Sequence, residues 1–518
     1  MMGTPFSYGF NLTIVVILCF TWFLWLIFWR LFYSPLAGFP GPKLAAATGW
    51  YEFYFDFWKR GKYIFEIERM HEVYGPIVRV NPEELSIRDS TFYSELYVTG
   101  SQRRSEHYDA FASGIDFEGS HILTRDHDLH RWRRKPLEPF FSRVGVQRLQ
   151  SMLAEVVLRL ESRLREFKGS HKVLRLDHAF SAFSSDVMCR LCLAKSPDKD
   201  HRPDFLDDAE FSPDWFNCIN TMITSLPLFS GFPWIIHVVS FIPMPFLLKL
   251  LPAGKLFGQF RKFSLAAIHE AIDVKNENDR KGIETEDHGS VFLHLANSGM
   301  PASERAPERL LKEAQVLLAG GTATTSHTLA FASCYVLSRP QLKQRLQAEL
   351  SQSMAGWPLR IPSQTELEKL PLLTAVIKES LRLSYGVMHR LPRISPDIPI
   401  QYRQYTVPPG VPIGMSNYFM HTDPDVFPDP LEFKPERWMA DVSPAMLRNY
   451  VPFGRGSRNC LGQYLGLAEL FLTLAMLFRP GGLELQLFQT DESDVVRAHD
   501  FILALPRLDT KGVRVTVT

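Results

Sequence analysis

The sequence predicts a mainly α fold with a minor β-sheet region, carried behind an N-terminal transmembrane helix. Three observations predict it: an uncharged apolar run near the start, long stretches with apolar residues at helical spacing, and only brief strand-like stretches. At 518 residues, 46% hydrophobic and 22% charged, the chain is globular material able to bury a large core. A net charge of +1 and a pI near 7.7 give no electrostatic case for nucleic acid.

The apolar run is "FNLTIVVILCFTWFLWLIFW", Phe10 to Trp29, interrupted only by Asn11, Thr13 and Thr21. It has the length needed to cross ~30 Å of hydrocarbon as a helix. It lacks the basic start, shorter core and small-residue cleavage site of a secretory signal, which marks a retained anchor. Arg30 and then Lys43 follow the run, and no charge precedes it, so the positive-inside bias places the body in the cytosol. "SPLAGFPGPK", Ser34 to Lys43, holds three prolines and reads as a semi-rigid spacer. The expected division is an anchor over 1–33, a proline-rich hinge over 34–50, and one body over 51–518.

In the body, "IVRVNPEELSIRD" (Ile77 to Asp89) reads as two short strands around an Asn-Pro turn. Leu149, Met152, Leu153, Val156, Val157, Leu160 and Leu164 predict a helix. Cys189 and Cys192 lie in "SSDVMCRLCLAK", which reads as a helix. With no second Cys/His pair nearby they are better read as buried thiols than as metal or redox groups. The six cysteines are scattered and suit a reducing compartment. Thr221 to Pro252 is apolar but carries Pro227, Pro233, Pro243 and Pro245, against a second span. It is either core helix or a surface that dips into the bilayer and admits lipid-soluble molecules. "VKNENDRKGIETEDHGS" reads as a surface loop. Pro307 to Ser338 predicts one long helix, with Pro307 in its first turn and Pro340 beyond its end.

The chemistry concentrates at "FGRGSRNCLGQYLG", Phe453 to Gly466. The chain passes from loop to helix at Cys460, where backbone N–H groups favour a thiolate. Gly454 and Gly456 permit an unusual turn, and Gly462 and Gly466 let a flat, bulky group approach. Arg458 can neutralise an acid on that group. An iron porphyrin with carboxylate side chains fits; on this loop alone, a catalytic thiol of low pKa fits nearly as well.

Further motifs decide between them. Phe453-x-x-Gly456-x-Arg458-x-Cys460-x-Gly462, Glu379-Ser-Leu-Arg382, "FKPERW" (Phe433 to Trp438) and "GGTATTS" (Gly320 to Ser326) occur together. In these motifs the chain resembles the cytochrome P-450 family, the haem-thiolate monooxygenases, over nearly its whole length. The resemblance implies that fold, with haem b (iron protoporphyrin IX) as cofactor and Cys460 as axial ligand of its iron. It implies His130, Arg134, Arg393 and Arg458 as propionate ligands, with His130 standing where many relatives carry Trp. Phe453 and Gly462 belong to the same cofactor-binding loop. Glu379, Arg382 and Arg437 are implied as a buried structural network; spacing alone would allow a surface ion pair.

On the oxygen side, Gly320 and Gly321 are poor helix formers whose missing side chains would leave room over a flat cofactor. Thr324 lies four residues after Gly320, so its hydroxyl can bond that carbonyl. The resemblance makes Thr324, with Thr325 beside it, the proton relay. The family usually carries Asp or Glu before that threonine; here stands Ala323, which cannot relay a proton. Alignment with the family implies a hydrophobic pocket lined by Tyr108, Ala110, Phe111, Ala319, Val387, Met388 and Phe501.

The resemblance is to filamentous-fungal members, trichodiene oxygenase-like enzymes among them. They act on terpenoids and other secondary metabolites. It implies a single-pass protein of the endoplasmic reticulum membrane, reduced by NADPH–cytochrome P-450 reductase, with cytochrome b5 as a further donor and Arg455 near the docking face. The expected function is monooxygenation of a hydrophobic small molecule. Because of Ala323 an atypical desaturase or rearrangement is the alternative, and a non-catalytic haem or lipid binder is the third reading.

Overall fold

The computed structural model describes residues 5–108, 117–194, 204–231, 253–282, 290–439 and 442–518. Its core is the long helix Pro307–Leu337, which packs against helices Leu176–Cys192, Ala253–Lys281, Pro371–Ser384 and Gln463–Phe478. The expected first-turn proline is present, Ser338 caps the end, and Pro340 opens the next helix, Pro340–Ser353. Helix Gln150–Arg165 buries Leu153, Val156, Val157, Leu160 and Leu164, the stripe its spacing predicts. Cys189 and Cys192 are both buried in helix Leu176–Cys192. Burial raises the Cys192 thiol above its ordinary pKa, as for an inert core thiol.

The sheet component is small. Strands Ile77–Arg79 and Leu85–Ile87 pair antiparallel, Ile77 opposite Ile87, around the expected turn. Leu85–Ile87 then pairs in parallel with Pro412–Gly414, which continues through Arg393–Ile394 to Glu106–His107. The hairpin of His499–Phe501 and Leu503–Leu505 turns on Ile502. That β-branched residue sits at φ +78°, a strained conformation. Its carbonyl accepts the Met388 N–H at 2.8 Å, so the hairpin tip is pinned to the segment after helix Pro371–Ser384.

The N-terminal helix runs Pro5–Phe32, and Thr13–Phe32 is long and apolar enough to cross a membrane, with mean hydropathy 2.2. The segment after it packs on the body. Leu36 is buried, Phe39 stacks on Tyr405 at 5.3 Å, and Ala45 to Ala47 are buried in a short helix. Arg79, nearly fully buried, donates to the Arg30 carbonyl at 2.8 Å and to that of Pro82 at 2.7 Å.

Two sequence readings change. Val274 to Lys281, expected as loop, completes helix Ala253–Lys281. The ion pairs Lys275–Asp279 and Glu277–Lys281 sit at i,i+4 spacing, and no breaker comes before Gly282, whose φ is +64°. Pro227, expected to interrupt, lies inside helix Pro213–Gly231. The rest of the apolar stretch, 232–252, lies outside the described residues, as do Ala110 and Phe111.

Candidate active site

The Cys460 loop is shaped by its glycines. Gly454 and Gly456 take φ of +64° and +77°, and a Cβ on Gly456 would stand 2.3 Å from the Val98 carbonyl oxygen. The loop closes where the Cys460 N–H donates to the Phe453 carbonyl at 2.8 Å, with Phe453 half-buried against the core. Helix Gln463–Phe478 starts only after its N-cap, Gly462. Cys460 thus precedes the helix and is not part of its first turn. It keeps accessible surface, yet burial holds its thiol above the ordinary value, opposed by the Gly462 N–H and by Arg134. The expectation of a readily ionised thiol fails for the protein part alone, because desolvation outweighs one N–H and one guanidinium. Surface that is accessible yet surrounded by protein borders an internal space.

Four basic side chains gather nearby. Arg134 holds the residue before the cysteine, donating to the Asn459 carbonyl at 2.7 Å and to its Oδ1 at 3.0 Å. Among the described residues Arg458 donates only to backbone carbonyls, Thr124 at 2.8 Å and Arg125 at 2.7 Å among them. Burial, then Arg393, lowers its pKa to about 9. Arg393, 7% exposed, bonds the carbonyls of Pro392 and Leu391 and has no carboxylate partner among the described residues. His130 is buried on helix His127–Arg134 with its Nδ1 unbonded among the described residues, and burial with Arg458 next lowers its pKa to about 2.

Two buried, mutually repelling guanidiniums, Arg393 and Arg458, beside an orphaned ring nitrogen call for an acidic partner. The two carboxylates of haem b fit that demand. A flat macrocycle also has room: a Cβ on Gly462 or on Gly320 would meet nothing within 4 Å among the described residues.

On the long helix, Thr324 Oγ1 donates to the Gly320 carbonyl at 2.9 Å, the bond its spacing predicts. The two glycines differ. Gly320 opens on space, whereas a Cβ on Gly321 would stand 2.4 Å from Met188 Sδ, so Gly321 serves helix packing. Thr325 is buried with its hydroxyl toward Gly466, away from the opening, and Gly466 likewise serves helix contact. Glu313 ties the segment before the basic helix to the long helix, accepting the His121 N–H at 2.8 Å and meeting its Nδ1 at 2.6 Å.

Beneath the loop, Glu379 accepts Arg382 twice, Arg437 Nε at 2.9 Å, the Lys434 N–H at 2.9 Å and Trp438 Nε1 at 2.8 Å. Arg382 reaches on to the carbonyls of His421, Pro430 and Glu432. His421 links this network to the loop. Val451 N–H donates to its Nε2 at 2.9 Å, so Nδ1–H donates to the Arg382 carbonyl at 3.0 Å. Burial lowers its pKa to about 3, in keeping with a neutral ring. Trp438 was visible in "FKPERW" without a role, and nothing in the sequence singled out His421.

Of the expected pocket, Tyr108 and Phe501 line one cavity of ≈ 470 Å³, together with Phe23 of the anchor, Leu226 and Ile502. Tyr108 donates to Glu83 at 3.1 Å. Val387 bridges Leu503, Met388 is fully buried under the hairpin, and Ala319 is partly buried against the core. Sequence reasoning missed the polar floor of this cavity. There Arg390 pairs with Glu84 at 2.6 Å and with Glu52, and His389 meets Asp500 at 3.0 Å.

The family model for cytochrome P450 matches residues 47–502. The chain is 52% identical to the cytochrome P-450 monooxygenase oblB of Aspergillus clavatus, over 95% of this chain and 94% of that protein. It is 48% identical to the fusicoccadiene C-8 hydroxylase of Phomopsis amygdali, over 95% and 93%. It is 47% identical to the enzyme of that name from Alternaria brassicicola, over 100% and 99%. A passive haem or lipid binder is therefore set aside. From the Cys460 loop to the glycine-opened helix, the chain belongs to the cytochrome P-450 family and is a haem b monooxygenase related to those of fungal secondary metabolism.

Proposed function

We propose that this monooxygenase hydroxylates a terpenoid hydrocarbon or its partly oxidised descendant, drawing electrons from NADPH through NADPH–cytochrome P-450 reductase. Cytochrome b5 is a second donor, and Arg455 lies on the docking face. Residues 1–33 anchor it in the endoplasmic reticulum membrane, 34–50 are the proline-rich hinge segment, seated on the body, and 51–518 form the cytosolic catalytic body. The observation that carries the reading is the pair of buried guanidiniums, Arg393 and Arg458, that have no carboxylate partner among the described residues, with the neutral His130 ring and Arg134 near them at the Cys460 loop.

In this assignment Cys460 ligates the iron and Arg134 fixes its loop through Asn459. Arg393, Arg458, Arg134 and His130 hold the propionates, while Phe453 and Gly462 shape the bed. Glu379, Arg382 and Arg437 keep the supporting segment in place. The bound haem supplies reductive O–O cleavage and oxygen insertion into a C–H bond. Substrate, O₂, two electrons and two protons give hydroxylated product and water. Thr324 presents a hydroxyl oxygen that can accept a hydrogen bond from water while its own hydrogen is donated to the Gly320 carbonyl. Thr325 is assigned to packing.

The cavity of Tyr108 and Phe501, beside Phe23 of the anchor, is the entry from the bilayer. Ala323 raises a second reading, desaturation or rearrangement; desaturation takes the same O₂, two electrons and two protons but gives an alkene and two waters. The test is co-expression with a reductase and a panel of cyclic terpenes. A reduced, CO-treated spectrum of thiolate type and an oxygen-18-labelled alcohol from labelled O₂ are expected. Conversion without label incorporation selects the second reading, and loss of the spectrum in Cys460→Ser tests the ligand.

A further inference from the structure

A second cavity, ≈ 390 Å³, borders the long helix at Ala323. Its inner wall carries Ala323, Ser326 and His327; helix Pro213–Gly231 contributes Asn217, Asn220 and Thr224. His327 lies one turn beyond Ala323, so both share a helix face. Ser326 Oγ donates to the Ala323 carbonyl at 3.2 Å, and Thr224 Oγ1 donates to that of Asn220 at 2.9 Å. Each hydroxyl oxygen is thus left to accept from water. Among the described residues His327 has no hydrogen-bond or ion-pair partner.

Each hydroxylation consumes two protons, and a position occupied by alanine supplies none. A polar, roomy cavity against the helix turn of Thr324 meets the conditions for holding water. We propose that this cavity is the water inlet feeding protons to Thr324, and that His327 is the titratable group on its wall, doing from one turn away what Ala323 cannot. The inference rests on the monooxygenase reading above and deepens it. His327 acts through water and Thr324, not on the substrate, and is in that sense a positioning residue.

Its imidazole suits the task. Burial lowers its pKa to about 4, so at neutral pH one nitrogen donates while the other accepts, and a proton passes without being kept. The other charged groups facing the cavity are Arg60, Arg175, Asp177, Asp494 and Arg507. Arg175 pairs with Asp177, and Arg507 pairs with Asp494, so these are mutually neutralised.

The test uses the full-length holoenzyme in microsomes with a reductase. His327→Phe, with an unchanged CO spectrum, is expected to lower product per NADPH by about tenfold and to divert the electrons to peroxide. It is also expected to enlarge the solvent deuterium isotope effect and change the pH profile. His327→Gln keeps a hydrogen-bonding side chain and is expected to fall between. Ala323→Glu in the His327→Phe background is expected to restore coupling, which a merely structural defect would not allow. Independently of turnover, deuterium exchange at the His327 imidazole C2, followed by mass spectrometry, is expected to be several-fold faster than at His421, whose ring is sealed in the core.

Wild-type coupling, isotope effect and pH profile in His327→Phe, or His327 exchange as slow as that of His421, would overturn the inlet alone. A wild type without a thiolate-type CO spectrum would overturn the underlying reading as well.

Discussion

Glu379 and Arg382 form a bidentate pair at 2.8 and 2.9 Å, and neither side chain is exposed to solvent. Three further donors fill the carboxylate: Arg437, the Lys434 N–H and Trp438. A pair so enclosed tolerates no single loss. Arg382→Met leaves a buried carboxylate short of its main partner, at a cost of about 3–5 kcal/mol. Thermal unfolding and haem content should both show it, with little pigmented protein recovered. Arg437→Lys keeps the charge but loses the fork, and should cost less, about 1–2 kcal/mol.

Arg393 makes the opposite kind of prediction in the two states of the protein. Without the cofactor it is a buried cation near Arg458, and burial lowers its pKa. Arg393→Leu should therefore stabilise the haem-free chain. In the loaded protein it should weaken haem retention about 10- to 100-fold, the equivalent of one charged hydrogen bond of ~1.5–3 kcal/mol. Haem transfer to apomyoglobin measures the second effect, and chemical denaturation of the haem-free chain the first.

Gly320 and Gly321 are neighbours with different work. Gly320→Ala meets no atom within 4 Å among the described residues of the haem-free chain and gains helix propensity, about 1 kcal/mol. Its cost should appear only in substrate or oxygen binding. Gly321→Ala drives a Cβ against Met188, itself buried, and should destabilise by about 1–3 kcal/mol. Paired melting curves and substrate-induced spectral titrations separate the two.

Glu469 gives the fold a pH dependence. It is buried on helix Gln463–Phe478 and accepts Ser184 Oγ at 2.8 Å. Burial pushes its carboxyl up to about 8 from 4.5, against the Ser184 hydrogen bond. Between those values the unfolded chain has released a proton that the folded chain keeps. Stability from this group is therefore full below pH 4.5 and falls as pH rises toward 8, by up to ~1.4 kcal/mol per unit. Glu469→Gln should flatten that slope and raise stability at pH 7, as read by denaturant unfolding across the range.

What was legible in the residues alone rests on short covalent spacing. Glu379 and Arg382 sit one turn apart, Thr324 one turn past Gly320, and twenty uncharged residues precede Arg30. Each relation holds in any helix the chain forms, so the Glu379–Arg382 pairing, the anchor helix and the Thr324–Gly320 bond could be read from spacing, whereas the burial of that pair with Arg437 came only from the family resemblance. The glycines of the Cys460 loop likewise announced a turn, and two of them take positive φ.

Tertiary structure decided whatever depends on distant partners and on water. It separated Gly320 from Gly321 through Met188, more than a hundred residues away, and turned Thr325 toward Gly466. It raised the Cys460 thiol, because desolvation is set by everything packed around an atom and not by the residues beside it in sequence. It gave Arg134 to Asn459, packed the proline-rich segment onto the body, and opened behind Ala323 a cavity that no local spacing foretells. Local geometry follows from bonds, whereas burial and field belong to the assembled molecule, and it is there that this chain departs from its own motifs.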